Sequence, residues 1–226
     1  LVPAAGHTGR RPDGPLTGEH NRMRYRRQFL TIPAGLLLAG AIPAGGACAQ
    51  SAADKAAAFI KATGDRLVAA VNNTGTPEQK RQQLTQVIDQ TVDVDGIARF
   101  CLGRFWRQAS PDQQKQYMDL FHKVLVTSIT AKVGEYEGVT FTMGRARMEN
   151  DRAVVSTVVN RPNNPPAAVD WIVEQPGGNP KIIDVKAEGT SLRLTQRNDY
   201  ESYLTHHNNS IDALIGAMRD QIGKQG

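Results

Sequence analysis

Apolar positions recur at helical spacing through the first half of the chain and alternate through much of the second. That pattern alone divides the fold into two kinds of element. Over residues 52–72, Ile60, Gly64, Leu67, Val68 and Val71 fall on one stripe, which Asn72-Asn73-Thr74-Gly75 ends. Thr76, followed by Pro77 and by Gln79 three residues on, is a capping-box start. The helix it opens runs to about Gln90 with Leu84, Val87 and Ile88 inward. A short helix is expected within residues 92–103. Ser110-Pro111-Asp112-Gln113 repeats the capping signature and begins the longest helix, to about Val133.

The period then changes. Residues 139–148 and 152–161 are β-type runs joined at Asn150-Asp151, a hairpin turn. Pro162-Asn163-Asn164-Pro165-Pro166 breaks to a third run at 167–175, and Pro176-Gly177-Gly178-Asn179-Pro180 to a fourth at 181–188. Val169, Trp171 and Val173 share one face of the third run, with Asp170 and Glu174 on the other. Ile183, Val185 and Ala187 alternate with Asp184 and Lys186 in the fourth. This predicts an antiparallel meander of about four strands, wet on one face and covered on the other. Helices near 195–204 and 210–222 close the chain, the last carrying Ile211, Leu214, Ile215, Met218 and Ile222. Helices followed by an antiparallel sheet make an α+β domain.

The N-terminal segment changes how the composition is read. Residues 23–49 have the form of an export signal: Arg24, Arg26 and Arg27, an apolar core from Phe29 to Ile42, then Ala47-Cys48-Ala49 as a cleavage pattern. The apolar run is too short, and too rich in Gly and Pro, to be a membrane span. Residues 1–22, without Met, are read as upstream translation or a mis-set start that carries no fold. The working protein is therefore expected to be residues 50–226, one domain, delivered to the periplasm. Arg26-Arg27-Gln28-Phe29-Leu30 resembles the twin-arginine motif, so export by that route or by ordinary secretion stays open. Lipidation at Cys48 also stays open, Gly45 standing where a lipoprotein box wants Leu. The chain's formal charge of +5 belongs mostly to this leader. Residues 1–49 hold six Arg, no Lys and two acids, so Lys+Arg falls from 27 to 21 and Asp+Glu from 22 to 20, leaving about +1. A nucleic-acid partner would want a persistent basic patch, and none is evident.

Candidate chemistry is sparse. Asp93-x-Asp95-Gly96 lacks the remaining ligands of a calcium loop and reads as helix capping. His206 and His207 are adjacent and diverge on a helix, so they cannot chelate one metal together. Cys101 could pair with His122, but Phe100, Leu102 and Phe105 make an apolar setting that disfavours a thiolate. No nucleophile elbow, phosphate loop or zinc-protease motif is present, and no cofactor is implied. Apolar lining is abundant instead. In the long helix Tyr117, Met118, Leu120, Phe121, Val124, Leu125, Val126 and Ile129 cover more than one stripe, and residues 153–159 are apolar on both faces. Either a generous core or a cavity between sheet and helices accounts for this.

One further pattern bears on the choice. Val92-Asp93-Val94-Asp95-Gly96-Ile97-Ala98-Arg99-Phe100, Leu102-Gly103-Arg104-Phe105-Trp106-Arg107 and Ser110-Pro111-Asp112-Gln113-Gln114 lead into Leu120-Phe121. Trp171, Ile183-Asp184-Val185, Glu188-Gly189-Thr190-Ser191-Leu192, Arg197 and Ile211-Asp212-Ala213-Leu214-Ile215 follow in order. Together these resemble the MlaC family of periplasmic phospholipid carriers, also called toluene-tolerance or ABC-transporter auxiliary proteins, and residues 100–107 are most similar to its hopanoid-associated branch. The resemblance implies a fold like nuclear transport factor 2, a curved sheet wrapped by helices around an apolar cavity. It also implies no catalysis, a phospholipid or hopanoid-like ligand, and shuttling between an inner-membrane ABC transporter with an MCE-domain subunit and an outer-membrane lipoprotein complex. On that basis the lipid tails are expected against Phe121, Leu125 and Ile129 of the long helix and Phe141, Val155, Trp171, Val173, Ile183 and Val185 of the sheet. Val173→Asp is then expected to abolish loading while leaving helix content largely intact. The alternatives are an isomerase or hydrolase using an acid in the apolar pocket as general base, or an adaptor with a filled core.

Overall fold

The structure is a computed structural model and describes residues 45–225 apart from 132, 163, 176 and 177. The expected leader lies outside the described residues except for its last five. Six helices and five strands follow in order: α1 (Gly45–Asn72), α2 (Pro77–Thr91), α3 (Val94–Leu102), α4 (Pro111–Thr130), β1 (Thr140–Glu149), β2 (Arg152–Asn160), β3 (Ala167–Glu174), β4 (Lys181–Ala187), β5 (Thr190–Ser191), α5 (Leu192–His206) and α6 (Ile211–Gln225). Short 3₁₀ turns occupy Gly103–Arg107 and Val133–Tyr136.

The helix starts are chemical. Thr76 and Gln79 exchange both capping-box bonds, and Ser110 and Gln113 do the same. Asp93 accepts from the Gly96 amide and so caps α3, the role expected of a short acid there. Ser191 caps α5 through the Leu194 amide, three residues before the expected start. At the β1–β2 turn both Asn150 and Asp151 have positive φ, 48° and 63°, the geometry that suits a two-residue hairpin.

The sheet is antiparallel throughout, in the order β1-β2-β3-β4-β5. It therefore has five strands where about four were expected. β5 is only two residues long and is registered by Lys186↔Ser191 and Ala187↔Thr190, too short to show a period. Two register shifts bend the sheet, one in β1 between Met143 and Ala146 and one in the β3–β4 ladder at Ile172/Val173.

Two cores result. Tyr117, Phe121, Leu204, Leu214, Ile215 and Met218 lead a helical core built from α3, α4, α5 and α6. Tyr117 is fully buried, and its hydroxyl donates to the Ala98 carbonyl at 2.8 Å. In the second core Ala56 and Ile60 of α1 close on Ala153, Val155, Val173 and Ile182 of the sheet. Gly64 is what lets α1 lie so close, because a Cβ there would overlap the Phe141 ring. The expectation of one wet face needs correction. On the reverse of the sheet Val154, Ile172 and Ile183 form a buried cluster, and Asp184 is only 5% exposed.

Candidate functional site

The strand register decides which apolar residues meet. Phe141↔Val159, Ala146↔Val155, Val155↔Trp171, Trp171↔Val185 and Ala153↔Val173 are cross-strand partners. Partners point the same way, so Phe141, Val155, Trp171, Val173 and Val185 share the face turned to α1. Val155 and Val173 are sealed under Ala56 and Ile60, while Met143, Ala146, Met148, Trp171 and Val185 form a half-buried apolar border around them. The border is chemically quiet. Trp171 Nε1 donates to Thr157 Oγ1 at 2.9 Å, and that hydroxyl donates to the Val169 carbonyl at 3.3 Å. The one polar atom of the indole is thus satisfied within the sheet, and its ring is left as apolar surface.

The remaining expected residues do not join this face. The shift at Ile172/Val173 pairs Ile172 with Asp184 and Val173 with Ile182, which breaks the alternation read for β4. Ile182 takes the inner position, and Ile183 packs with Val154 and Ile172 on the reverse. Phe121 is 4% exposed within the helical core, where it meets Tyr117 and Tyr200 ring to ring. Leu125 packs against the same core, as do Met118, Leu120 and Val126. Contact with the other helices therefore absorbs most of the apolar excess of α4. Ile129, near the end of α4, is 40% exposed.

Sequence reasoning missed a hollow of about 480 Å³ between α2 and α4. Glu78, Arg81, Gln82, Thr85 and Gln86 line it from α2, and Val126, Thr127 and Thr130 from α4. None of the nine expected residues lines it. His122 Nε2 and Asp89 Oδ1, 2.6 Å apart, tie the two helices together beyond one end. Polar periodicity marks a solvated helix face, and nothing local distinguishes an outward face from one that borders a cleft.

The acid, thiol, phenols and imidazoles that could carry chemistry are held in structural contacts. Asp184 accepts from Ser191 Oγ at 2.6 Å, from the Val185 and Arg193 amides at 2.8 and 3.2 Å, and sits 3.6 Å from Arg193 Nε. It anchors the β5–α5 turn. Burial pushes the Tyr117 and Tyr200 phenols above their usual range and the Cys101 thiol up to about 12. Cys101 is a buried thiol, and His122 pairs with Asp89 instead. His206 and His207 are exposed at the end of α5, His207 stacked on Tyr203. Among the described residues no group of His, Cys, Asp or Glu could hold a metal ion.

Comparisons with known proteins fit this architecture. A family model described as MlaC protein matches residues 58–220, which takes in α2 to α5, the whole sheet and most of α1 and α6. The toluene tolerance protein ttg2D of Pseudomonas putida is 23% identical over 143 residues, 62% of this chain and 66% of the relative. That match spans just under two thirds of the relative's own length. A phospholipid-binding protein from Ralstonia solanacearum, solved in complex with a phospholipid, superposes with a TM-score of 0.66 at 24% identity. The superposition covers 75% of this chain and 98% of that one, so the two share a fold.

Proposed function

The chain belongs to the MlaC family, and we propose on that premise that it is a periplasmic carrier sheltering the acyl tails of a phospholipid between two membranes. A sixteen-carbon chain resists transfer to water by roughly 12 kcal/mol, at about 0.8 kcal/mol per methylene. It cannot cross an aqueous gap unescorted. The observation that carries the reading is the family match over 58–220, and the fold shared with a protein solved around a phospholipid supports it. The apolar sheet face adds a physical reason. Its border of Met143, Met148, Trp171 and Val185 is half-buried, and the Trp171 Nε1–H is hydrogen-bonded within the sheet, a surface suited to hydrocarbon.

In this reading the tails lie against Val155, Trp171, Val173 and Val185, with Phe141 beside α1, and reach them when the helices shift outward from the sheet. Phe121, Leu125, Ile129 and Ile183 belong to the wider lining, brought in by the same movement. Residues 23–49 direct export, residues 50–226 work as one domain, and the protein exchanges lipid with an inner-membrane ABC transporter and an outer-membrane lipoprotein complex. Docking to either shifts the population towards an open state and releases the cargo. The chain performs no reaction. Asp184, the buried acid an enzyme would use, has its oxygens occupied.

Native mass spectrometry of protein purified from the cell envelope tests the function. A phospholipid mass adduct at one per chain is expected, and extraction identifies whether it is a phospholipid or a hopanoid. Protein that carries no lipid and cannot be loaded from vesicles ends the carrier reading.

A further inference from the structure

We propose that Thr157 is a positioning residue of the lipid site: its hydroxyl holds the Trp171 indole along the apolar sheet face and partners that ring's one donor, so that hydrocarbon can cover it without stranding an N–H. This rests on the carrier reading above. A face that takes acyl tails must lose its water, and every polar atom it carries then needs a partner from the protein. Tryptophan brings a broad apolar ring to such a face, together with one N–H that hydrocarbon cannot satisfy.

The sheet meets that demand at one point. Thr157 stands on the inner face of β2 in line with Ala153, Val155 and Val159, and its side chain alone among theirs is polar. It is 3% exposed, so its hydroxyl depends on the protein for partners. That hydroxyl accepts from Trp171 Nε1 at 2.9 Å and spends its one proton on the Val169 carbonyl at 3.3 Å. Register fixes the direction of the ring. Trp171 lies opposite Val155 and Val185, whereas Thr157 lies opposite Val169, so the indole reaches its acceptor diagonally along the β2–β3 ladder. The bond matters most when the site is full. Without cargo the half-buried indole borders solvent, and water can stand in for a missing acceptor. Under hydrocarbon that substitute is gone. The other side chains of the border, Met143, Ala146, Met148 and Val185, carry no oxygen or nitrogen, so an unpaired N–H there weakens binding itself.

A double-mutant cycle read out by lipid uptake tests the assignment. Wild type, Thr157→Val, Trp171→Phe and the double variant are titrated with vesicles of pyrene-labelled phosphatidylcholine, and Thr157→Ser serves as the rescue. Thr157→Val keeps the shape and loses the hydroxyl, so it is expected to weaken uptake roughly tenfold, and Thr157→Ser to restore it. In the Trp171→Phe background the same change should move affinity by less than about twofold, because no indole N–H remains to satisfy. One measurement needs no variant. In wild-type protein the Trp171 indole N–H, followed by isotope-edited NMR, should exchange with solvent more slowly once lipid is loaded, while that of Trp106, packed on the helical core, should not change. An equal loss from Thr157→Val in both backgrounds, no loss in either, or exchange at Trp171 that is indifferent to loading overturns the role of Thr157 and leaves the carrier intact. Should Thr157→Val not fold, the exchange rates decide alone. Wild-type protein that takes up no lipid from the vesicles removes the carrier reading and this role with it.

Discussion

Val173→Asp separates a packed interface from an open one. Val173 is 1% exposed, in an apolar cluster whose other buried members are Ala56, Ile60, Ala153, Val155 and Ile182. A carboxylate there finds no partner, and such burial raises an Asp by about 3–5 pH units. The folded value then lies near or above pH 7, against about 3.9 in the unfolded chain. At pH 7 the penalty is set by the interval from about 3.9 to 7, which at about 1.4 kcal/mol per pH unit comes to roughly 4 kcal/mol. The sign follows from the neutral form being the one the fold accepts. The penalty is absent below about pH 4, where both states are protonated, and grows as the pH rises. Against a domain stability of about 5–15 kcal/mol this is severe but measurable. Urea unfolding at pH 4.5 and pH 7 reads it out. With a slope of about 1–3 kcal/mol per molar, the midpoint should fall by about 2 M relative to the parent at pH 7 and by much less at pH 4.5. A deficit that does not change with pH would mean that the carboxylate is solvated and that α1 does not seal this face. The structure thus turns a substitution expected to block loading with the fold intact into one that destabilises the fold itself.

Gly64→Ala, ordinarily stabilising by about 1 kcal/mol inside a helix, should instead lower the melting temperature through the Phe141 overlap, and Phe141→Leu in the same protein should recover most of the loss. Cys101, with its thiol raised to about 12, should resist iodoacetamide at pH 8 in folded protein and react fully in urea, as peptide mass mapping would reveal; ready alkylation of the native state contradicts its burial. The Lys80 ammonium, hydrogen-bonded to Glu137 at 2.7 Å, holds that carboxyl below its usual range. The contact's contribution is present above the unfolded value of the carboxyl and lost as the pH falls through the lower folded one. Glu137→Gln should therefore flatten the acid limb of stability, and an unchanged acid limb would show that the contact is not held in solution.

Much of the secondary structure was legible because its signals act within a few residues. Thr76/Gln79 and Ser110/Gln113 are reciprocal caps that need only their own turn, and Asn150-Asp151 has the φ tolerance a tight hairpin requires. The α1 stripe of Ile60, Gly64, Leu67, Val68 and Val71 was legible for the same reason, and it runs across both apolar clusters that α1 touches. Ser191 could have been found by the same logic. Its hydroxyl caps Leu194, but without a Glu or Gln partner the signal is weaker.

Other features had no local trace. The slip that moves Ile182 inward and Ile183 outward depends on how β3 and β4 meet, and a one-position shift exchanges faces without changing a residue. The breadth of the apolar surface on α4 was visible in its residues, but three neighbouring helices brought from both ends of the chain decide that it is mostly core. The α2–α4 hollow is the extreme case. Gln82, Thr85, Gln86 and Thr127 read as two wet helix faces, and only the placement of one helix against the other makes them the walls of one space. Sequence alone determined the α2 and α4 starts, the change of period and the α+β class, because caps, turns and alternation are short-range free energies. Tertiary structure alone decided which apolar residues face each other and where a ligand could reach them, because those are distances between segments that meet only when the whole chain has packed.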